Sequence, residues 1–430
     1  MKTELAKKII AEWLEEQDIP PLVRRSVPAP DIRQLSEILA VVGPRRSGKT
    51  FFLYQLIHAL LVEKACGKDD ILFIDFEDYR LIDFEAHDVE SLFVAFNQLT
   101  GKSPSYIFFD EIQHLPNWSR VLRTLHNQRR YRLVISGSNS ELLSREVSTE
   151  LRGRYRDILI LPFSFKEILS FHQVEYSQKT FLTAGRGKLL KIFDDYLDYG
   201  GFPEVLKKTT PSERKQLLQT YYRAIFYRDI LDRHNIKAKY VLEAMMRYCL
   251  NMNADLFSIS SFAKSLKTAE LPGSKRTISN YLHYLCEAFF LIVNDKFSFS
   301  PRKRLMNPKK TYLLDPGFIF LATEFSENKG KALENVVAIE LFRRQEETFY
   351  FKDRNECDFI IKRGNVPAEA IQVCWQTNNK NLERELNGLI EAMEACKIKQ
   401  GRILTYDQED ILIHKKHRVE LMPVWKWLLP

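Results

Sequence analysis

The chain has 430 residues, of which 45% are hydrophobic and 28% are charged, and its formal net charge is +8 at pH 7. This length is too great for one ordinary core and predicts two or three domains, while no apolar run approaches the roughly 20 residues of a membrane span. Six scattered cysteines without paired spacing argue against a zinc site and fit reduced thiols. With a charged amphipathic helix predicted at residues 3–17 in place of a signal peptide, we expect a cytoplasmic protein without a membrane partner.

Residues 43–50 read Gly-Pro-Arg-Arg-Ser-Gly-Lys-Thr, the G-x-x-x-x-G-K-T pattern of a phosphate-binding loop. The loop stands between an apolar run at 38–42, predicted as a buried strand, and a predicted helix at 51–62. Its glycines let successive N–H groups face phosphate oxygens, while Lys49 reaches the β- and γ-phosphates and Thr50 ligates Mg²⁺. The expected nucleotide-binding residues are Gly43, Pro44, Arg45, Arg46, Ser47, Gly48, Lys49, Thr50 and Phe51.

Strands are predicted next at 71–76 and 106–111, the latter ending in Asp110 and Glu111. Four apolar residues followed by Asp-Glu, about 60 residues after a phosphate loop, form the Walker B pattern. Asp110 is expected to hold Mg²⁺, directly or through water, and Glu111 to polarise the attacking water.

A fourth strand is predicted at 132–139, and its polar end suggests a sensor of the γ-phosphate. Asn139 and Ser138 are the candidates, although both are also suited to capping a following helix. A strand between the two Walker strands indicates the additional-strand class of P-loop proteins. Arg154, and after it Arg152, is a candidate for stabilising transition-state charge in the same or a neighbouring active site, with a surface salt bridge as the alternative.

Five segments in this order carry a resemblance: GPRRSGKT, FIDFEDYRL, YIFFDEIQHLPNW, ISGSNSELL, and LRGRY followed by LPFSFKEIL. Together they resemble the prokaryotic, archaeal ATPase-like AAA-type ATPases that have a C-terminal domain of uncharacterised function. The resemblance covers nearly the whole chain. It implies an AAA-like α/β core with ATP as the nucleotide, and it implies no substrate.

The middle of the chain predicts helices up to about residue 240 and then a winged helix. Helices at 258–266 and 274–290 are followed by strands at 291–299 and 311–314, which flank a basic loop. Residues 259–310 contain ten Lys or Arg against three Asp or Glu, so DNA is the expected partner, with protein packing as the alternative. The expected contacts fall within 274–280 and 301–310, at Ser274, Lys275, Arg276, Thr277, Asn280, Arg302, Lys303, Arg304, Lys309 and Lys310.

The order of helices and strands after residue 334 resembles the PD-(D/E)XK nuclease fold. That resemblance implies a metal-binding Asp at Asp358 and an E-x-K motif, whose positions are filled here by Gln372 and Cys374. An amide is a poor replacement for a metal-binding carboxylate, so a degenerate site is expected. The candidates for compensating residues are Glu340, as a helix carboxylate, and Lys352 or Lys362 in place of the lysine.

The predicted fold class is α/β, with a P-loop core followed by a helical and winged-helix region and an α/β nuclease-like domain. We interpret the chain as a Mg²⁺-dependent ATPase whose nucleotide state moves DNA-binding domains, and a homo-oligomer is compatible with this. Two alternatives remain open, an ATP-gated nuclease and a protein-interaction switch without a nucleic-acid partner. The predicted segments are an N-terminal helix and connector (1–36), the ATPase core (37–170), a helical lid (171–240), the winged helix (241–325) and the nuclease-like domain (326–430).

Overall fold

The computed structural model describes residues 2–15, 19–137, 153–181, 183–322, 329–414 and 417–429. The chain divides into two compact units, Met1–Pro162 and Phe163–Pro430. Among the helices described, none is long and apolar enough to cross a membrane.

The first unit is built on a five-stranded sheet with the strand order β2-β3-β4-β1-β5, and all of its strand pairs are parallel. Its strands are β1 (Ile38–Val42), β2 (Ile71–Asp75), β3 (Tyr106–Asp110), β4 (Arg132–Gly137) and β5 (Tyr155–Leu159). Its described helices are α1 (Lys2–Glu15), α2 (Lys49–Val62), α3 (Val89–Thr100) and α4 (Trp118–Asn127). In this order, β4 lies between β1, which leads into the phosphate loop, and β3, which ends at Asp110. The predicted additional-strand arrangement is therefore confirmed.

Burial on both faces explains why these strands are apolar throughout. Along β1, Leu39 and Val41 pack on the side of α2, while Ile38, Ala40 and Val42 belong to the core on the opposite side. The carboxyl ends of parallel strands meet at one edge of a sheet, so the residues that follow β1, β3 and β4 are brought together.

The second unit begins with helices and ends with a sheet. Its described helices are α5 (Phe165–Phe171), α6 (Gln178–Phe181), α7 (Gly185–Tyr199), α8 (Pro203–Leu206), α9 (Pro211–Ala224), α10 (Lys239–Asn251), α11 (Ile259–Thr268), α12 (Lys275–Glu287), α13 (Pro301–Met306), α14 (Lys329–Arg343), α15 (Leu382–Cys396) and α16 (Val424–Trp427). A π-helix (Ile225–Asp232) continues α9, within the stretch up to about residue 240 that the sequence predicts to be helical.

The strands of this unit form one sheet with the order β13-β14-β12-β11-β10-β9-β7-β8-β6. They are β6 (Asp255–Phe257), β7 (Leu291–Lys296), β8 (Lys309–Leu313), β9 (Glu347–Lys352), β10 (Glu356–Arg363), β11 (Val366–Val373), β12 (Gln400–Thr405), β13 (Asp410–His414) and β14 (His417–Pro423). Parallel pairing of Asp295 with Phe349 and of Lys296 with Tyr350 joins β7 to β9.

Two sequence predictions in this unit are wrong. The basic segment at 301–304 is not a loop, because Pro301 opens the helix α13 and suits the first turn of a helix. The sequence predicts that a strand at 402–405 is the last one, but β13 and β14 follow it as an antiparallel pair.

Candidate functional site

The phosphate loop joins β1 to α2 through a backbone that only small residues can follow at two points. Gly43 has φ +152°, and a Cβ atom there would lie 2.0 Å from the Ile160 carbonyl oxygen. Gly48 has φ +92° and precedes the first residue of α2. The loop therefore has the glycine-dependent curvature that the sequence predicts, directly at the N-terminus of a helix, where anions are favoured.

Lys49 is the first residue of α2 and is only 4% exposed. Its Nζ donates a hydrogen bond to the Pro44 carbonyl oxygen at 3.1 Å and lies 3.5 Å from Glu111 Oε1. Burial lowers the pKa of Lys49, and the nearby charges of Glu111 and Asp110 oppose this effect. The ammonium is thus held between the phosphate loop and the end of β3.

Asp110 ends β3 and is 1% exposed. Thr50 Oγ1 donates a hydrogen bond to Asp110 Oδ2 at 2.6 Å, and Ser136 Oγ donates one to Oδ1. Burial raises the pKa of Asp110, while these two hydrogen bonds lower it. A hydroxyl and a carboxylate in contact supply the hard oxygen donors that Mg²⁺ prefers, so the pair of residues predicted for the metal fits that ion.

Glu111 leaves the strand in a left-handed conformation, with φ 46° and ψ 48°. Its backbone N–H donates a hydrogen bond to Ser136 Oγ at 3.1 Å, and Gln113 Nε2 donates one to Glu111 Oε2 at 2.5 Å. A non-glycine residue in this region is uncommon and is often found at functional sites. Here the turn keeps the Glu111 carboxylate beside Lys49 and fixes its direction.

Ser136 is a site residue that the sequence motifs do not identify. It lies in β4 with 0% exposure, donates to Asp110 and accepts from the Glu111 N–H. Its signal in the sequence is a small hydroxyl residue near the carboxyl end of the strand between the Walker strands. The predicted sensors Ser138 and Asn139, together with Arg152, lie outside the described residues.

Arg25, in the connector before β1, is a second residue that was missed. Its guanidinium donates from Nη1 to the Ser47 carbonyl oxygen at 2.9 Å and from Nη2 to that of Leu161. Its backbone N–H donates to Gln55 Oε1 at 2.8 Å, and the residue is 5% exposed. Arg25 therefore ties the phosphate loop, α2 and the segment after β5 together.

Asp75 adds a third carboxylate at this edge of the sheet, because it is in register with Asp110 on the neighbouring strand. Its Oδ1 accepts a hydrogen bond from the Glu77 N–H at 2.8 Å. Partial burial of the carboxyl raises the pKa of Asp75 to about 6; the Glu77 hydrogen bond opposes this shift and the charge of Asp110 adds to it.

The remaining predicted residues of the first unit lie around this centre or away from it. Arg45 pairs with Glu77 at 3.7 Å, and Phe51 is 46% exposed. Arg154 precedes β5, and its carbonyl oxygen accepts a hydrogen bond from the Ile38 N–H at the amino end of β1. Five residues of strand, about 16 Å, separate that edge from the phosphate loop, so Arg154 does not approach the loop of its own chain.

The residues predicted to contact DNA fall into two groups. Ser274 caps α12 by accepting a hydrogen bond from the Thr277 N–H at 3.0 Å, and Lys275, Arg276, Asn280, Arg302 and Lys303 are exposed. In contrast, Lys309 pairs with Asp295, and Lys310 is 2% exposed and surrounded by carboxylates. The prediction that 301–310 contacts phosphates is therefore wrong for Lys309 and Lys310, because internal carboxylates already neutralise them.

The predicted nuclease-like residues are also arranged differently from expectation. Glu340 pairs with Arg343 and Arg344, and the carboxylate that α14 places near Asp358 is Glu334. Lys352 and Lys362 pair with Glu356 and Glu347, and the lysine beside Asp358 is Lys310. Gln372 accepts a hydrogen bond from the Asp358 N–H at 3.3 Å, and Cys374 is buried.

Comparison with known proteins gives two matching families and several relatives. Residues 35–169 match the family described as "AAA domain", and residues 190–329 match a domain of unknown function, DUF8612. The chain is 34% identical over 440 residues to the uncharacterized protein MJ1544 of Methanocaldococcus jannaschii, covering 100% of this chain and 96% of that protein. An uncharacterized protein of Haemophilus influenzae is 30% identical over 332 residues, covering 76% of this chain and 80% of that protein. The solved structure of the Walker-type ATPase PABY2304 of Pyrococcus abyssi is similar with a TM-score of 0.43 at 14% identity, covering 70% of this chain and 98% of that chain.

Proposed function

Because the chain belongs to the family of the Methanocaldococcus jannaschii protein MJ1544 and carries an AAA domain at residues 35–169, we propose that it is a Mg²⁺-dependent ATPase whose nucleotide state drives conformational change in a DNA-binding C-terminal unit. The ATPase part of this proposal rests on the contact between the two Walker motifs. Thr50 donates to Asp110 at 2.6 Å while Lys49 lies 3.5 Å from Glu111.

Each of these side chains has a chemical role in the proposal. Lys49 neutralises phosphate oxygens, and its burial strengthens that attraction because little water screens it. Thr50 and Asp110 would hold Mg²⁺, which supplies charge stabilisation at the phosphoryl group. Glu111, fixed by its left-handed turn and by Gln113, orients the attacking water and accepts its proton.

Two substitutions test this assignment. Lys49→Ala should lose nucleotide affinity, whereas Glu111→Gln should bind ATP and fail to turn it over, because the amide keeps the shape of the side chain and loses its basicity. Equilibrium binding of a fluorescent ATP analogue and phosphate release measure the two effects. If both variants bind and hydrolyse like the parent protein, the ATPase assignment is wrong.

The DNA part of the proposal is supported by the order of elements between α10 and β8. Two helices, α11 and α12, are followed by β7 and β8, which pair antiparallel, and β6 pairs antiparallel with β8. We propose that these elements form a winged helix, with α12 as the recognition helix and the segment around α13 as the wing. Lys275 and Arg276 are exposed in the first turn of α12.

A basic groove lies beside this helix. Its volume is about 590 Å³, and its charged lining residues are Lys264, Lys267 and Lys275 from α11 and α12 and Glu270 between the two helices. Lysines from two helices around one open groove suit the backbone phosphates of a nucleic acid. The groove and the exposed Arg302 and Lys303 are therefore the surface that we assign to DNA.

ATP turnover with and without duplex DNA, at low and moderate salt, tests this surface. We expect stimulation that weakens as salt rises and that disappears in the Lys275→Ala/Arg276→Ala variant. The matched control is Lys207→Ala/Lys208→Ala, which removes two exposed lysines elsewhere in the second unit. Turnover that is indifferent to DNA in the parent protein would favour a switch that acts on a protein partner.

We propose a catalytic role for Arg154 only at the active site of a second copy of the chain. Since it does not approach its own phosphate loop, a catalytic role requires that a neighbouring subunit receive it. Analytical ultracentrifugation with and without ATP, followed by turnover of Arg154→Ala, tests this role. A monomer at all nucleotide concentrations, or unchanged turnover of the variant, would remove Arg154 from the site. We assign the protein to the cytoplasm as part of the same proposal.

A further inference from the structure

Three carboxylates surround the ammonium of Lys310 in the sheet of the second unit. Lys310 Nζ lies 2.7 Å from Glu334 Oε1, 2.8 Å from Asp358 Oδ1 and 3.0 Å from Glu356 Oε1. Lys310 stands in β8, Glu334 in α14, and Glu356 and Asp358 in β10. We call Glu334, Glu356 and Asp358 the carboxylate cage.

The carboxylate cage offers the ammonium as many hydrogen-bond acceptors as the ammonium has N–H donors. An ammonium has three N–H donors, and here one carboxylate oxygen is available to each. Carboxylate oxygens that converge on one point are also the usual ligands of a divalent cation. In this cage, the space that such a cation would take is filled by Nζ of Lys310, a side chain that is only 2% exposed.

Other groups of the protein also bind the cage, so it offers little to an outside ligand. Tyr312 OH donates to Glu334 Oε1 at 2.7 Å, and the Val373 N–H donates to Asp358 Oδ2 at 2.8 Å. Lys352 Nζ lies 3.1 Å from Glu356 Oε2, which adds a second positive charge.

The position of the motif's metal-binding Glu is occupied by an amide, Gln372, and both the oxygen and the nitrogen of this amide are already hydrogen-bonded. Gln372 accepts from the Asp358 N–H through Oε1, and its Nε2 donates to Glu385 Oε2 at 2.7 Å. Within the described ranges, no group of three or more His, Cys, Asp or Glu residues is arranged to hold a metal ion. The residues present do not fit the divalent ion that the nuclease-like resemblance implies.

We infer that Lys310 is the permanent cation of this cage, that it takes the place of a divalent metal ion, and that the second unit therefore folds and acts without metal and does not cleave nucleic acid. The same geometry implies a latent property. Removing the ammonium would leave three carboxylates without their cation, and they could then close around a smaller divalent ion, which their present arrangement does not hold. This inference concerns the second unit alone and does not depend on ATP hydrolysis in the first.

Binding of Mn²⁺ to the nucleotide-free full chain, measured by electron paramagnetic resonance, tests the inference. Asp110→Asn is included in every sample to remove the metal ligand of the first unit. We expect no stoichiometric Mn²⁺ binding with Lys310 intact, and one bound ion per chain in Lys310→Ala, which is lost again when Asp358→Asn is added. Lys309→Ala is the matched control, because it removes the adjacent lysine, which pairs with Asp295 outside the cage, and it should bind no Mn²⁺.

Two measurements can disprove the inference even if Lys310→Ala does not fold. The first is Mn²⁺ binding by the chain with Lys310 intact, where one bound ion that is lost in Asp358→Asn would overturn it. The second is incubation of that chain with plasmid DNA and Mg²⁺ or Mn²⁺, where cleavage that disappears in Asp358→Asn would overturn it as well. A folded Lys310→Ala variant that takes up no Mn²⁺ would contradict the latent site.

Discussion

Arg25 Nη1 donates a hydrogen bond to the carbonyl oxygen of Ser47 at 2.9 Å, from a connector that precedes the first strand of the sheet. A trans peptide is planar, so a Ser47 carbonyl that points at Arg25 turns the N–H of Gly48 in the opposite direction. That N–H belongs to the phosphate loop. The arginine thus sets the direction of a backbone donor that it never touches.

Arg25→Met should weaken ATP binding about tenfold or more, because it removes charge-assisted hydrogen bonds that orient the loop. The expected change lies in the dissociation constant of ATP, with a smaller change in turnover at saturating ATP. Arg24→Met, which alters the exposed neighbouring arginine, is the matched control and should bind like the parent protein. Parental affinity in Arg25→Met would show that the loop holds its shape without the arginine.

Ser136→Ala should lower turnover roughly ten- to a hundredfold while nucleotide affinity changes little. The hydroxyl links Asp110 to the Glu111 N–H, and hydrogen bonds to a buried charged group contribute about 1.5–3 kcal/mol. Steady-state kinetics together with ATP titration separate the two effects. Ser105→Ala, at an exposed position just before β3, is the control. An equal loss of affinity and turnover would mean that the serine supports the fold of the site instead of its chemistry.

Gly43→Ala should abolish ATP binding and lower the free energy of unfolding of the first unit. The added Cβ would lie 2.0 Å from the Ile160 carbonyl oxygen at φ +152°, and backbone strain alone costs about 1–3 kcal/mol. Urea denaturation followed by fluorescence measures the loss. Gly187→Ala, at a helical position of the second unit where a Cβ meets nothing within 4 Å, should leave the first unit as stable as in the parent protein. A Gly43→Ala variant that is as stable as the control would contradict the close approach.

Asp315 predicts a pH dependence in the second unit. The carboxylate accepts hydrogen bonds from the Gly201 and Gly317 N–H groups at 2.8 and 2.9 Å, yet burial raises the pKa of Asp315 to about 7. Because the folded state then binds the proton more tightly than the unfolded state, this group stabilises the fold fully below its unfolded pKa. The contribution is lost as pH rises through about 7.

The measurement is the free energy of unfolding of the parent protein and of Asp315→Asn at several pH values between about 5 and 8. The asparagine does not titrate, so the parent should lose stability relative to the variant as pH rises, with the difference levelling off above about 7. Only this slope is diagnostic, since the amide also alters the two hydrogen bonds. Parallel pH profiles of the two proteins would contradict the raised pKa of Asp315.

The first unit was largely predictable because its motifs and its strands reinforce each other. The strand, loop and helix around residues 43–50 and the strand ending at Asp110 have the structure that the sequence predicts. Arg25 and Ser136 were not predictable, since each acts through a contact with a residue distant in the sequence. An arginine in a connector and a serine in a strand have no pattern that marks such a contact.

The second unit was harder to predict because charge in a sequence does not reveal burial. Lys309 and Lys310 read as part of a basic wing, but β8 directs them to partners 14 and 48 residues away, at Asp295 and Asp358. Likewise, Glu334 and Glu340 lie on the same helix, and only the packing of α14 determines which one meets Asp358. The pairing of strands decides these contacts, and pairing partners are not visible in one sequence.

The joint between β7 and β9 has a consequence for how this protein can be divided. Phe297 N–H donates to the Tyr350 carbonyl oxygen at 2.7 Å beside the two paired positions, so the ladder continues from one half of the second unit into the other. A truncation near residue 325 would separate β7 from β9 and leave an unpaired strand edge on each fragment. Such edges recruit other chains. Fragments divided there should therefore aggregate.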